Sequence, residues 1–241
     1  MTGKMERASE GFNHATIEIG AEEKSRVTTD AIRNTIKLAK LHEQQSGYLA
    51  ALLEGDVANK THLAIQLPTD NATGCLVDFV ISYIDYVPCC IDTVRSIAGD
   101  AGIHQYAEPF LNLAVDFFLK PPEASLGHTG LSELMDEAYL AHRLIEEMND
   151  QFMVNTSMAL VPIDMSLSNL IVHSLIGEPF ANELDEAVLY TVEKAMAGET
   201  IYNNPKLHDY IALRRLTEGD QPLCRPCLTD QFAINMQFSS Y

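Results

Sequence analysis

The sequence predicts an all-α fold, and two observations carry this prediction. Apolar residues recur at intervals of three and four along most of the chain, which is the spacing of amphipathic helices. The sequence contains no convincing run of alternating strand residues, no internal repeat and no low-complexity linker. We therefore expect a single helical domain over residues 21–217, a bundle of about seven or eight helices with central apolar helices.

Composition narrows the classes of function. The chain has 241 residues, 46% of them hydrophobic, and a formal net charge of −18. The acidic excess lies in the middle, because between Thr61 and Glu193 only Arg95, Lys120 and Arg143 are basic. A net charge of this sign repels nucleic-acid backbones and anionic membrane surfaces. We expect neither a nucleic-acid partner nor a membrane.

The sequence also predicts a cytoplasmic protein. The first thirty residues contain no apolar run of signal-peptide length. The longest strongly apolar stretch, Leu76–Ile84, is far shorter than the roughly twenty residues of a bilayer span. Five cysteines without an export signal favour reduced thiols or metal ligands over a disulfide framework.

The first half of the chain predicts three helices after an N-terminal arm. Residues 1–20, with little periodic hydrophobicity, are typical of a flexible or swapped arm. A helix is expected over 21–54 with Gly55 as its stop, and a short one over 56–66 before Pro68. A longer helix follows over 69–96, in which an internal proline should produce a kink or a split.

The second half predicts five further helices, over 103–120, 134–152, 163–177, 182–197 and 204–215. The helix over 163–177 is apolar nearly all round, so we place it at the centre of the bundle beside the helix over 69–96. Residues 218–241 form a C-terminal tail.

A narrow polar stripe runs along the helix over 69–96. Its residues are spaced alternately by three and four, so they share one face: Cys75, Asp78, Ser82, Asp85, Cys89, Asp92 and Ser96. Almost all of the residues between them are large and apolar. One interpretation is that the stripe is the solvent-exposed line of a buried helix. The other is that Asp78, Ser82, Asp85 and Asp92 line a groove or an oligomer seam.

Two His-to-Glu pairs, each four residues apart, predict a possible metal site. His104 with Glu108 and His142 with Glu146 fall on consecutive helices. If those helices pack antiparallel, the four side chains could bind one divalent cation such as zinc or iron. The di-iron bundles need Glu-x-x-His motifs, which the sequence does not contain. A chance occurrence of the pairs is the alternative.

Three further residues form a second candidate metal set. The adjacent His208-Asp209 is similar to the His-Asp pair of HD-type phosphohydrolases, and the similarity is confined to this dipeptide. The resemblance implies that His173 is the earlier histidine, and that Asp220 or Asp230 is the later acid. A core histidine with one hydrogen-bonded nitrogen is the alternative interpretation of His173.

The tail carries a Cys-x-x-Cys motif, Cys224-Arg225-Pro226-Cys227. Two such thiols can form a redox-active pair or half of a zinc site. Thiol oxidoreductases of the thioredoxin type place this motif between a strand and a helix, a context that is absent from this sequence. Structural or incidental cysteines are the alternative to redox or zinc chemistry.

These features favour a helical interaction or regulatory protein that binds a partner protein or a small apolar ligand. Several helices are too apolar for one chain to cover, which predicts a homodimer. The alternative function is a metal-binding protein or a metal-dependent hydrolase with His, Glu and Asp ligands. The two hypotheses differ in whether at least three of these polar side chains converge.

Overall fold

The computed structural model describes residues 29–59, 65–68, 70–119, 130–196, 201–217, 232 and 234–236, and these residues confirm the all-α bundle. Eight α-helices lie in the described residues: α1 (Thr29–Ser46), α2 (Tyr48–Asn59), α3 (Ala72–Asp100), α4 (His104–Leu119), α5 (Leu131–Thr156), α6 (Ser166–Ile176), α7 (Phe180–Met196) and α8 (Pro205–Thr217). A 3₁₀ turn, Ile201–Asn203, precedes α8. Residues 1–20, Cys224 and Cys227 lie outside the described residues.

Helix α5 is the centre of the bundle, and it packs against α1, α3, α4, α6 and α7. Apolar residues recur at intervals of three and four along its sequence, and all of them are buried: Leu134, Ala138, Ala141, Ile145, Met148 and Phe152. Helices α1, α3 and α4 also contact one another. Four helices therefore share one apolar core, and α6 and α7 cover α5 on another side.

Helix α3 is a core helix, as its sequence predicts. Pro88 is buried within it and does not split it into two helices. By length and composition alone, α3 is the one helix of the described residues that could cross a bilayer, and half of its most apolar segment is buried inside the bundle. Such burial is what a central helix of a folded bundle shows.

The helix over 163–177 is not central, in contrast to the expectation. Helix α6 packs against α5 and α7, and its buried residues include Asn169, Ile171 and Val172. Leu170 on its other side is 39% exposed. Uniform apolarity in a short helix therefore did not distinguish a peripheral helix from a central one.

The first helix breaks at a different glycine from the one expected. The break lies at Gly47, which has φ +59, and α2 continues through Gly55. Glu43 stabilises the start of α2, because its carboxylate accepts hydrogen bonds from the backbone N–H groups of Leu49 (2.9 Å) and Ala50 (3.1 Å). A carboxylate there satisfies donors that have no partner within the helix.

A short antiparallel pairing follows α2, where the sequence predicted the end of a helix. Strand β1 (Ile65–Gln66) pairs with β2 (Asn235–Met236). Next to this pairing, Cys75 Sγ contacts the carbonyl oxygen of Phe232 at 3.0 Å. The end of the described tail thus lies against the beginning of α3.

Candidate functional site

The polar stripe of α3 meets α1 along half of its length. Asp85 Oδ2 lies 2.6 Å from Lys40 Nζ, and Asp92 Oδ2 lies 2.8 Å from Arg33. Thr29 Oγ1 also donates to Asp92, at 2.9 Å. Because Thr29 meets Asp92 and Lys40 meets Asp85, α1 runs antiparallel to α3. This half of the stripe forms a seam between two helices of the same chain.

The other two stripe residues lie nearer the beginning of α3. Asp78 is exposed and Ser82 is partly buried. Neither has a hydrogen bond to α1 among the described residues. Asp78 is thus solvent-exposed, as the first interpretation of the stripe predicts. Asp85 and Asp92 instead form ion pairs with Lys40 and Arg33 of α1.

An open groove of about 430 Å³ lies between α1 and α3. Its lining combines apolar, basic and amide side chains with a single carboxylate: Arg33, Ile36, Lys37, Lys40, Leu41, Gln44, Asp85 and Pro88. Ile36 and Pro88 are buried and provide apolar surface. Of the four predicted seam residues, Asp85 lines this groove.

The outward side of α1 is both basic and apolar. Leu38 is 68% exposed and Leu41 is 45% exposed. Within the described part of the chain, Lys37 has no hydrogen-bond or ion-pair partner, whereas Arg33 and Lys40 are paired with aspartates. Two exposed leucines thus lie next to a lysine that has no ion-pair partner among the described residues.

This surface was not predicted from the sequence. The signal was present, because three of the sixteen basic residues of the chain fall between positions 33 and 40 of a strongly acidic sequence.

The predicted metal ligands are placed in separate local settings. His104 Nε2 lies 3.3 Å from Glu108 Oε2, and Arg95 Nε donates to the same oxygen at 3.4 Å. The Glu108 carboxylate, which a metal ion would need as a ligand, is therefore already bound by the Arg95 guanidinium. This pair therefore belongs to a local ion-pair cluster between α3 and α4.

His142 is fully buried and uncharged. Its Nε2 donates to the backbone carbonyl of Tyr83 at 3.0 Å, and its Nδ1 has no hydrogen-bond partner among the described residues. The ring lies 4.5 Å from the Tyr83 ring and 6.2 Å from the Tyr86 ring, measured between centroids. Burial lowers the pKa of His142 to about 4, since the charged form would lose its hydration.

Glu146 is held by three donors from two helices. Ser166 Oγ donates to Oε1 at 2.9 Å, and Asn169 Nδ2 donates to Oε2 at 2.7 Å. Arg143, on the same helix, forms a short ion pair with Oε2. Tyr83 completes the set by donating to Asn169 Oδ1 at 2.6 Å. These bonds join α3, α5 and α6.

Arg143 extends the network to α7. Its Nε donates to Asp185 Oδ1 at 2.8 Å, and the Tyr139 hydroxyl donates to the same oxygen at 2.9 Å. Two carboxylates thus share one guanidinium, and hydrogen bonds to both raise the pKa of Arg143 against the opposing effect of burial. Burial and the bond to Asp185 raise the pKa of Tyr139.

His173 lies at the edge of this network. Its Nε2 is 3.0 Å from Asn182 Oδ1 and 3.7 Å from Asp185 Oδ2. His173 is only partly buried, so it is not the core histidine of the alternative interpretation, although one of its nitrogens does form a hydrogen bond. The network as a whole was not predicted, although Arg143 is conspicuous as one of three basic residues in the acidic middle of the chain.

The other candidate ligands do not join these groups. His208, on α8, contacts the carbonyl oxygen of Tyr202, and Asp209 is exposed. Across the described residues, no three His, Cys, Asp or Glu side chains are arranged to hold a metal ion. The convergence that a metal site requires is therefore not found in the part of the chain that the structure describes.

No protein-family model, no curated protein and no solved structure matches this chain. A function must therefore be argued from the geometry of its surfaces and polar groups.

Proposed function

We propose that the protein is a helical interaction protein that receives a segment of a partner protein in the groove between α1 and α3. The single observation that carries this proposal is the rim of this groove, where Leu41 is 45% exposed beside Lys37, which has no charged partner among the described residues. An exposed leucine at the edge of an open groove fits a surface that a partner covers.

The side chains that line the groove indicate what kind of segment of a partner protein it would bind. Arg33, Lys37 and Lys40 recur along one side of α1, and Ile36, Leu41 and Pro88 supply apolar contacts. A helix with apolar residues at intervals of three and four, flanked by carboxylates, matches this pattern. We propose an acidic amphipathic helix as the occupant.

A small apolar ligand fits the groove less well. Ligand sites of that class enclose most of the surface of their ligand. This groove is open to solvent along the two helices and its rim is charged. Nor does any described group of side chains favour the alternative of a metal-dependent hydrolase.

Two designed peptides would test the proposal. Both are helices of about five turns with leucine at the same positions, and one carries glutamate where the other carries lysine. We expect the acidic peptide to bind more tightly in a fluorescence anisotropy titration, and added salt to weaken it. Equal affinity for both peptides would contradict the proposal.

Variants at the groove sharpen the test. Lys37→Glu and Leu41→Gln should each weaken the acidic peptide about tenfold, which corresponds to roughly 1.4 kcal/mol. Arg215→Glu, which changes the net charge by the same amount as Lys37→Glu, and Leu216→Gln are matched controls at exposed positions of α8. If the control variants weaken binding as much as the groove variants, the site is not the groove.

A further inference from the structure

Helix α7 has an exposed side whose chemistry is complementary to that of α1. Glu186, Leu189, Tyr190 and Glu193 are all exposed and are spaced by three, one and three residues, so they share one face. Tyr190 is 61% exposed. Within the described residues, neither Glu186 nor Glu193 has a hydrogen-bond or ion-pair partner. The face is an acidic amphipathic surface on a folded helix.

The open face of α1 offers one cation and two leucines. Lys37 has no hydrogen-bond or ion-pair partner among the described residues, and the exposed Leu38 and Leu41 follow it by one and four residues on the same side of the helix. Arg33 and Lys40 are already paired with Asp92 and Asp85 of α3. A second helix can therefore lie along α1 with Leu189 and Tyr190 against the two leucines and a glutamate beside Lys37.

The α1 face and the α7 face of one chain cannot contact each other. Helix α1 packs against α3, α4 and α5, whereas α7 packs against α5 and α6, on a different part of the bundle. The carboxylates of Glu186 and Glu193 and the ammonium group of Lys37 thus lie on separate surfaces of the same chain.

We propose that α7 of a second copy of this chain occupies the α1 face, so that the protein associates with itself through α1-to-α7 contacts. The proposal rests on the proposed function, because it names the acidic amphipathic helix that the groove receives. Since the contacting surfaces differ, the contact is head-to-tail and joins copies of the chain into a ring or an open chain. Each copy then contributes one basic face and one acidic face.

Two variants with reversed charges, measured alone and as a mixture, test this proposal directly. We expect the wild-type chain to associate in a concentration series followed by sedimentation velocity. Lys37→Glu should raise the dissociation constant about tenfold or more, and Glu186→Lys with Glu193→Lys should do the same. An equimolar mixture of the two variants should restore association, because each α1 face then meets an α7 face of opposite charge.

Matched controls separate this contact from general surface effects. Leu38→Gln should weaken association, whereas Leu216→Gln should not, although Leu216 is 86% exposed. Circular dichroism melts should show that every variant stays folded. A wild-type chain that remains monomeric, a mixture that fails to associate, or a loss of association in Leu216→Gln would each overturn the proposal.

The peptide experiment distinguishes this proposal from the proposed function. If the chain is monomeric but still prefers the acidic peptide, the groove binds another protein and the self-association is wrong. If the chain associates as proposed, the acidic peptide should compete with association, because both use Lys37.

Discussion

Tyr83 on α3 donates a 2.6 Å hydrogen bond to Oδ1 of Asn169 on α6, and the amide nitrogen of Asn169 donates in turn to Glu146 on α5. One side chain thus connects three helices. Both Tyr83 and Asn169 are buried, so neither group can replace its partner with bulk water. The attachment of α6 to the bundle depends on this pair as well as on apolar contacts.

We expect Asn169→Ala to destabilise the protein by about 2 to 3 kcal/mol, because it leaves the Tyr83 hydroxyl buried without an acceptor. Tyr83→Phe removes one hydrogen bond and should cost about 1 kcal/mol. Urea unfolding measures both. Asn34→Ala, at an exposed position of α1, is the control and should stay within about 0.5 kcal/mol of wild type. A cost for Asn169→Ala no larger than that of Asn34→Ala would show that the bond contributes nothing to stability.

Arg143→Met should destabilise the protein by about 2 to 4 kcal/mol, because Glu146 and Asp185 lose the cation between them. Arg143→Lys keeps the positive charge but cannot bond to both carboxylates as the guanidinium does. Its expected loss of stability therefore lies between wild type and Arg143→Met. Arg215→Met, which removes an exposed bond to a single carbonyl, should cost less than about 1 kcal/mol. Equal losses for the two methionine variants would contradict this account.

His142 should make stability depend on pH. Its folded pKa of about 4 lies below the value of 6.5 that it has when unfolded, so protonation favours the unfolded chain. The contribution is complete above pH 6.5 and is lost as pH falls towards 4, by about 3 kcal/mol in total. The free energy of unfolding of wild type should therefore fall more steeply over this range than that of His142→Phe. His42→Asn, at an exposed position, should keep the wild-type slope.

Two glycines provide a matched test of the helix break. Gly47→Ala should destabilise the protein by about 1 to 2 kcal/mol, because φ is +59 there and a side chain disfavours that conformation. Gly55→Ala, inside α2 with open space around a new Cβ, should stabilise it by about 0.5 to 1 kcal/mol. Thermal melts of the two variants should shift in opposite directions. If both shift in the same direction, the left-handed turn at Gly47 does not control the break.

The same two glycines show why boundaries were harder to predict than helices. Both interrupt a helical pattern, and nothing in their immediate neighbours separates a left-handed turn from a helical position. The side chain of Glu43 favours the break at Gly47. It lies on the preceding helix, and its carboxylate accepts hydrogen bonds from the first N–H groups of α2. A bond of this kind depends on the angle between two helices, which no local pattern contains.

What the sequence by itself determined is the all-α class, most of the helices and the buried stripe of α5, because helical periodicity is a local property of successive residues. The tertiary structure decided that α5 rather than α6 is central, that Asp85 and Asp92 meet cations of α1, and that Arg143 joins two carboxylates on different helices. Such pairings join residues far apart in the chain. They depend on which helices pack together and on how far one helix is shifted along the other. The seam and the polar network follow from packing, and periodicity alone does not encode packing.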